Sequence, residues 1–331
     1  MPAAPLISVV VPAFNAARFL GATLDSVVAQ TEERWECVVV DDGSTDATVA
    51  VAEDRQARDP RIRVVRAAHH GPSHARNEGF RRIAAGSQFV TFMDADDVWL
   101  PHALATLLER LERSDRFVGS HGLAELIDAE GRRFAPGVYA ERGRTRLGLA
   151  GRRLVRWPLD RPTTFDVLVN GNVLFPPGLL LARRRAYELA GPFDESLPVA
   201  EDWDMLIRLS RLGDLAFVDD VILEYRRHDA NQGAQPSTPE LAWRVRCIAF
   251  HSAENTAEQR RRARRGWRAY QVHLAAERLG AAGAALAHGR VLPAARHLAR
   301  LPVYAWRYLR GYPLPRVTRP PLVWSPEEPT T

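Results

Sequence analysis

Residues 6–11 form an apolar, β-branched run that Pro12 ends, and Phe19, Leu20, Leu24, Val27 and Val28 then recur at helical spacing. The pattern predicts strand, loop and helix, and it repeats. Residues 37–40 make a second strand that stops at Asp41-Asp42-Gly43-Ser44, where Ser44, Thr45 or Asp46 can cap a helix reaching Arg58. A third strand over 62–65 leads to a helix over 73–85. A fourth over 89–93 stops at Asp94, and Pro101 opens a further helix at a position where its missing N–H costs nothing.

Short apolar strands alternating with helices predict an α/β fold, a doubly wound and mainly parallel sheet covered on both faces. Ligands of such sheets bind beyond the carboxyl ends of the strands. Asn15, Asp41, Asp42, Asp94 and Asp96 all fall just past those ends. From 114 to 172 the chain is rich in Arg and Gly with an irregular apolar pattern, which predicts hairpins and loops. Order returns with a strand over 179–181, a short helix to Ala190, the turn Gly191-Pro192-Phe193-Asp194, a helix over 201–212, and strands over 215–218 and 221–225. Residues 231–239 have the composition of a boundary, so the expected units are 1–235, a basic helical region over 236–311 as a C-terminal appendage, and an extended Pro-rich tail over 312–331.

At 331 residues and 46% hydrophobic content the chain can bury a large core. Cys37 and Cys247 stand far apart without metal-ligand spacing, and the N-terminus shows no basic leader or cleavage site, so a cytoplasmic setting is expected. Net charge is +5, but residues 241–331 hold 16 Arg against 5 Glu and no Asp, leaving the rest of the chain acidic. Every basic residue is Arg, with no Lys, so arginine abundance by itself says nothing about phosphate recognition. The basic region could meet nucleic acid or anionic lipid. No nucleic-acid partner is expected, whereas a peripheral contact with anionic membrane through residues 240–311, at the inner face of the cell membrane, fits Leu298, Leu301, Tyr304, Trp306, Tyr308 and Leu309 lying among arginines.

The chemistry falls outside that region. Asp94-Ala95-Asp96-Asp97 sets two carboxylates at i and i+2 and a third beside them at the end of a buried strand, where such charges need a metal or hydrogen bonds. Hard oxygen ligands suit Mn²⁺ or Mg²⁺ shared with a substrate diphosphate. The alternative is that Asp96 or Asp97 caps the following helix. In Glu201-Asp202-Trp203-Asp204 the acids could serve the helix dipole alone. Met205, Leu206 and Leu209 mark the buried stripe, however, which turns Asp202 inward and leaves Glu201 and Asp204 nearer the edge. An inward carboxylate suits removal of a proton from an attacking hydroxyl.

In order along the chain, Ser8-Val-Val-Val-Pro12-Ala-Phe14-Asn15, Val40-Asp41-Asp42-Gly43-Ser44-Thr45-Asp46, Ala75-Arg76-Asn77-Glu78-Gly79, Asp94-Ala-Asp96-Asp97, Gly191-Pro-Phe193-Asp194-Glu195, Glu201-Asp202-Trp203-Asp204 and Tyr225-Arg226-Arg227-His228 resemble family 2 glycosyltransferases. The resemblance covers residues 6–232 and is silent from Pro239 onward. It implies a GT-A fold, with a nucleotide-binding half over 6–113 and an acceptor half over 114–235, and transfer with inversion from a nucleotide-diphosphate sugar, a UDP-sugar first among them, to a glycan or lipid-linked acceptor. Residue by residue it implies that Pro12, Phe14 and Asn15 line the nucleoside loop and that Asp41 bonds the base. Arg76 would meet the diphosphate, and Asp94 would face ribose and metal. Asp96 would be the main metal ligand, His228 would cap metal or diphosphate, and Asp202 would be the base. The same resemblance places such enzymes in cell-surface polysaccharide or glycolipid assembly. Trp203, beside the proposed base, could line the acceptor cleft. An oxidoreductase is disfavoured because no Gly-x-Gly-x-x-Gly follows the first strand. A sugar nucleotidyltransferase would want a Gly-rich triphosphate loop there, and an inactive binding module would have no use for both acidic motifs.

Overall fold

The computed structural model describes residues 6–229, 238–313, 316–317 and 319–324. Strand and helix alternate at first: β1 (Ile7–Ala13), α1 (Leu20–Val28), β2 (Trp35–Asp42), α2 (Thr48–Arg58), β3 (Ile62–Ala67), α3 (Pro72–Arg81) and β4 (Phe89–Phe92). The short strand β5 (Val98–Trp99) and α4 (Ala103–Glu112) precede a long strand, β6 (Phe117–Ile127). After α5 (Val138–Arg144) come the hairpin of β7 (Leu147–Ala150) and β8 (Arg153–Arg156), the single turn α6 (Phe165–Leu168), β9 (Leu180–Arg183), α7 (Arg184–Ala190), α8 (Glu201–Leu212) and β10 (Asp214–Arg226). Helices α9 (Thr238–His251), α10 (Ala257–Ala287), α11 (Val291–Leu298) and α12 (Leu301–Arg310) complete the order.

Eight strands form one sheet in the order β3-β2-β1-β4-β9-β6-β10-β5. Only β9 and β5 run against their neighbours, so β1, β2, β3, β4, β6 and β10 all deliver their carboxyl ends to one edge. Nearly every position of β1, β2 and β4 is buried, as a sheet covered on both faces requires. On the α3 face the approach is close: a Cβ on Gly79 would lie 2.2 Å from Val10 Cγ1, so this helix position must be Gly. Leu104, Leu107 and Leu111 of α4 are fully buried, each contributing about 1.5–3 kcal/mol.

Several boundaries differ from expectation for identifiable reasons. Pro12 lies inside β1 and pairs with Val40 rather than ending the strand. Its missing N–H falls on the side where β4 has already stopped pairing, after Val10 opposite Phe92, so no ladder bond is lost. Helix α2 begins at Thr48 with Ala47 as N-cap, later than Ser44 to Asp46 suggested; Asp46 still accepts the Thr48 N–H at 2.9 Å. Pro101 precedes α4 by two residues instead of opening it. The two strands expected over 215–225 are one, β10, with its register against β6 shifted between Phe217 and Val221.

The segment 114–172 does hold a hairpin, but it also holds β6, an eleven-residue strand that lies between β9 and β10 and pairs with each. The boundary predicted over 231–239 lies mostly outside the described residues. Beyond it, Val245 and Trp267 belong to the same hydrophobic core as the sheet. Arg262 pairs with Asp166 of α6, tying α10 to the same body. Among the described residues no helix is long and apolar enough to cross a membrane.

Candidate active site

Because the sheet gathers six strand ends at one edge, residues far apart in sequence meet there. On the β1–β2 side, Asn15 adopts a left-handed conformation (φ 48°), its Oδ1 accepting the Thr45 N–H at 2.8 Å and its own N–H reaching Ser44 Oγ at 2.9 Å. That turn leaves Phe14 exposed, stacked on His69 with ring centroids 4.0 Å apart. Asp41 is buried, with both carboxylate oxygens 3.3 Å from the Ser44 N–H. Asp42 is turned to structure: it accepts the N–H groups of His70 and Gly71, each at 2.9 Å, and fixes the loop entering α3. Gly71 (φ 95°) and Pro72 start that helix, as their types require.

Deeper in, Arg76 of α3 is 4% exposed and holds two acids at once. Its Nη1 donates to Glu201 at 2.6 Å and its Nη2 to Asp94 at 2.8 Å. The guanidinium thus joins the end of β4 to the start of α8, and removing one partner of such a buried pair costs about 3–5 kcal/mol. Its Nε is buried without a partner. Asp96 turns the other way, to His228 Nε2 at 2.8 Å, because β10 runs parallel to the early strands and delivers His228 to the same edge. Asp97 is fully buried; its Oδ1 accepts the Arg226 N–H at 3.0 Å while its Oδ2 is unpartnered. Burial pushes the Asp97 carboxyl well above its ordinary value, and the charges of Asp96 and Asp94 add to this. Burial also raises Asp94, against the pull of Arg76.

Asp202 sits on the first turn of α8, after Ala200 in a left-handed conformation (φ 63°). Burial pushes its carboxyl up to about 7, with Glu201 adding like charge. Its Oδ1 accepts the Trp203 N–H at 2.7 Å, and Asn172 Nδ2 lies 3.4 Å from its Oδ2. Glu201 and Asp204 do not lie nearer the edge as the apolar stripe predicts, because Glu201, Asp202 and Asp204 are all buried. Glu201 is occupied by Arg76, and Asp204 by Arg208 at 2.9 Å and Arg319 at 2.6 Å. Asp202 is the acid of the three that forms no ion pair with an arginine among the described residues, although the nearby Arg76 charge opposes its rise. Trp203 does not line a cleft: it is buried, and its Nε1 donates to Leu168 O at 2.7 Å.

Among the described residues no three His, Cys, Asp or Glu groups converge closely enough to hold a metal ion. The chemistry of the donors nonetheless suits a hard divalent ion. Asp94 and Asp96 offer hard carboxylate oxygens, His228 adds a ring nitrogen, and the crowding that raises Asp97 and Asp94 is what a divalent cation would relieve. Three contacts here were not foreseen from the sequence. Glu201 as the partner of Arg76 and Asn172 beside Asp202 left no local signal, whereas Arg226, which donates from Nε to Asp96 O at 2.8 Å, lies inside the Tyr-Arg-Arg-His motif.

This strand order, with an Asp-x-Asp just past β4 and a buried acid at the start of α8, defines an α/β protein whose acidic site lies at the carboxyl ends of the strands. The chain belongs to glycosyl transferase family 2, whose family model matches residues 8–186. It is 33% identical over 229 residues, 68% of this chain and 66% of the relative, to an uncharacterized glycosyltransferase of Nostoc sp., and 25% identical to the chondroitin synthase of Escherichia coli over 69% of this chain and 30% of that protein. The chain therefore spans about two thirds or less of these relatives' lengths. Among solved structures it resembles S. aureus TarS 1–349 in complex with UDP-GlcNAc (TM-score 0.58, 17% identity, 81% of this chain and 72% of that one). It also resembles the mannosyltransferase PcManGT of Pyrobaculum calidifontis in complex with GDP-Man and Mn²⁺ (TM-score 0.54, 18% identity, 93% and 88%). The fold is the expected GT-A arrangement, with helices following it.

Proposed function

We propose that the chain transfers a sugar from a nucleoside diphosphate donor to an acceptor hydroxyl with inversion, using Asp202 as the general base. The observation that supports this reading best is Asp202 itself: buried, raised to about 7, and without an arginine ion pair while Glu201 and Asp204 beside it are paired with arginines. A base poised near neutral pH can take the proton of an attacking hydroxyl and hold it as the glycosidic bond forms. Phe14, stacked on His69, offers a platform for the nucleobase of the donor, and Asp41 an acceptor for a nucleobase N–H. Arg76, locked between Asp94 and Glu201, holds the donor side and the base-bearing helix at a fixed separation. Asp94, Asp96 and His228 would hold a divalent ion, Mn²⁺ or Mg²⁺, which when bound would neutralise charge developing on the leaving diphosphate.

The finer assignments belong to the same proposal: a UDP-sugar as donor, a glycan or lipid-linked acceptor, and a place in cell-surface polysaccharide or glycolipid assembly. Membrane contact through the basic helices is consistent with Leu298, Trp306, Tyr308 and Leu309, all exposed and joined by Val291 and Leu292, whereas Tyr304 is buried and takes no part. The test is a screen of UDP- and GDP-sugars with Mn²⁺, measuring nucleoside diphosphate release in the presence of mixed acceptors. Saturable release of nucleoside diphosphate supports transfer. Release of pyrophosphate from a nucleoside triphosphate and a sugar phosphate would make the protein a nucleotidyltransferase instead.

A further inference from the structure

The extended C-terminal segment, which no catalytic motif reaches, comes back onto α3 and onto the stretch that leads into α8. Trp324 stacks on Phe80 of α3 with ring centroids 4.7 Å apart and planes at 15°, and the Arg81 guanidinium lies 5.5 Å from its centre. The Leu322 backbone crosses Gly191 so closely that a Cβ there would stand 2.0 Å from Leu322 O. Between these contacts Arg319 reaches in. Its Nη1 donates to Asp194 Oδ2 at 2.5 Å, and its Nη2 sits 2.6 and 2.8 Å from the two oxygens of Asp204.

Those two acids bracket one strained junction. Asp194 lies in the loop before α8 and Asp204 in its first turn, and Ala200 stands between them at φ 63° and ψ 18°, a left-handed conformation that an L side chain rarely adopts. Glu201 and Asp202 follow at once. The direction in which α8 leaves Ala200 sets where both carboxylates lie, and Ala200 supplies no side-chain cap of its own. A planar guanidinium gripping both sides of the junction holds that direction. Arg208 secures the same node from within, donating to Asp204 at 2.9 Å and to Ala190 O at 2.6 Å.

We infer that Arg319 is a positioning residue for the site: the C-terminal segment docks on Phe80 and Gly191, and its arginine clamps Asp194 to Asp204 across Ala200, aiming Glu201 and Asp202. The inference rests on the proposed role of Asp202 for its catalytic consequence, but not for its structural one. A displacement of about 1 Å at a reacting group can cost about 10²-fold in rate, so Arg319→Ala should lower turnover by about 10- to 100-fold while donor affinity stays within about twofold. Arg319→Lys, which keeps the charge but cannot fork, should fall between.

The decisive variant is Ala200→Gly, which adopts the left-handed conformation without strain. Alone it should be close to wild type, and combined with Arg319→Ala it should restore most of the lost turnover. Hydrogen exchange of the ligand-free full chain gives a readout independent of activity: amides of residues 200–204 should exchange at least about tenfold faster in Arg319→Ala and return towards wild type in the double variant, with α10 unchanged. If Arg319→Ala leaves both exchange and turnover as in wild type, or if Ala200→Gly rescues neither, the clamp is wrong. Were the wild type to show no transfer with any donor while exchange responds as described, the clamp would stand and the transferase reading would fall.

Discussion

Replacing Asp202 with Asn separates a base from a structural acid through two effects of opposite sign. The carboxyl rises from 3.8 to about 7 because burial disfavours its charged form, with Glu201 adding like charge and Arg76 opposing. Asp94 adds further like charge, and Tyr139 in turn feels the field of Asp202. Because the folded value lies above the unfolded one, the folded protein binds the extra proton, and wild-type stability falls as pH rises from about 4 through about 7. At about 1.4 kcal/mol per unit, the charged carboxylate destabilises the fold at pH 8 by roughly 4 kcal/mol. Asn cannot ionise and escapes this, so Asp202→Asn should match wild type in stability near pH 4 and exceed it by several degrees in Tm at pH 8. Turnover should move the other way: wild-type kcat rises through an acid limb near pH 7, and the variant loses about 10²- to 10⁴-fold with that limb gone. Thermal melts from pH 4 to 8 alongside kcat profiles read both. A variant less stable than wild type at pH 8, or one that keeps its turnover and acid limb, would refute the assignment.

Asp204→Asn should behave differently, since Asp204 pairs with Arg208 and Arg319; breaking that buried network should cost about 3–5 kcal/mol, seen as a lower denaturant midpoint. Chelation should abolish activity and Mn²⁺ or Mg²⁺ restore it, and Asp96→Asn should weaken metal-dependent nucleotide binding in calorimetry far more than Asp46→Asn, whose carboxylate is engaged with Thr48 and the Ala17 N–H. If the exposed apolar side chains of α11 and α12 meet a membrane, the protein should sediment with phosphatidylglycerol vesicles at low salt and be released at high salt; protein left in the supernatant at low salt would dismiss the contact.

What could be read before the structure followed from how each segment satisfies its polar groups. β1, β2 and β4 are apolar runs between turns, and their pattern is unambiguous. β6 was invisible because its middle is Gly119-Ser120-His121-Gly122, polar and small yet buried. Only in the fold does Ser120 find Leu107 O at 2.6 Å and His121 find Thr163 Oγ1 at 2.7 Å. Only there do Leu180 and Leu215, each 3.0 Å from where a Gly119 Cβ would lie, and Ile222, 2.8 Å from one on Gly122, leave no room for side chains. Asp219-Asp220 broke β10 in the sequence pattern; in the structure they sit where its pairing with β6 shifts register. At the site, Asp94, Asp96, Asp97 and Asp202 announced themselves by position in their elements. The pairing of Asp94 with Arg76, of Asp96 with His228 and of Asp202 with Asn172 joins elements brought alongside only in the fold. The docking of Arg319 and Trp324 depends on a Pro-rich segment without periodicity, so no local rule could have placed it.

The most direct test of the central claim is the anomeric configuration of the first transfer product. Proton NMR of a reaction sampled early, with an α-linked nucleotide sugar as donor, Mn²⁺ and an accepted glycan, should show a β-linked product appearing in step with nucleoside diphosphate, and neither should form with Asp202→Asn. An α-linked product, or undiminished β-product from Asp202→Asn, would contradict single displacement with Asp202 as its base.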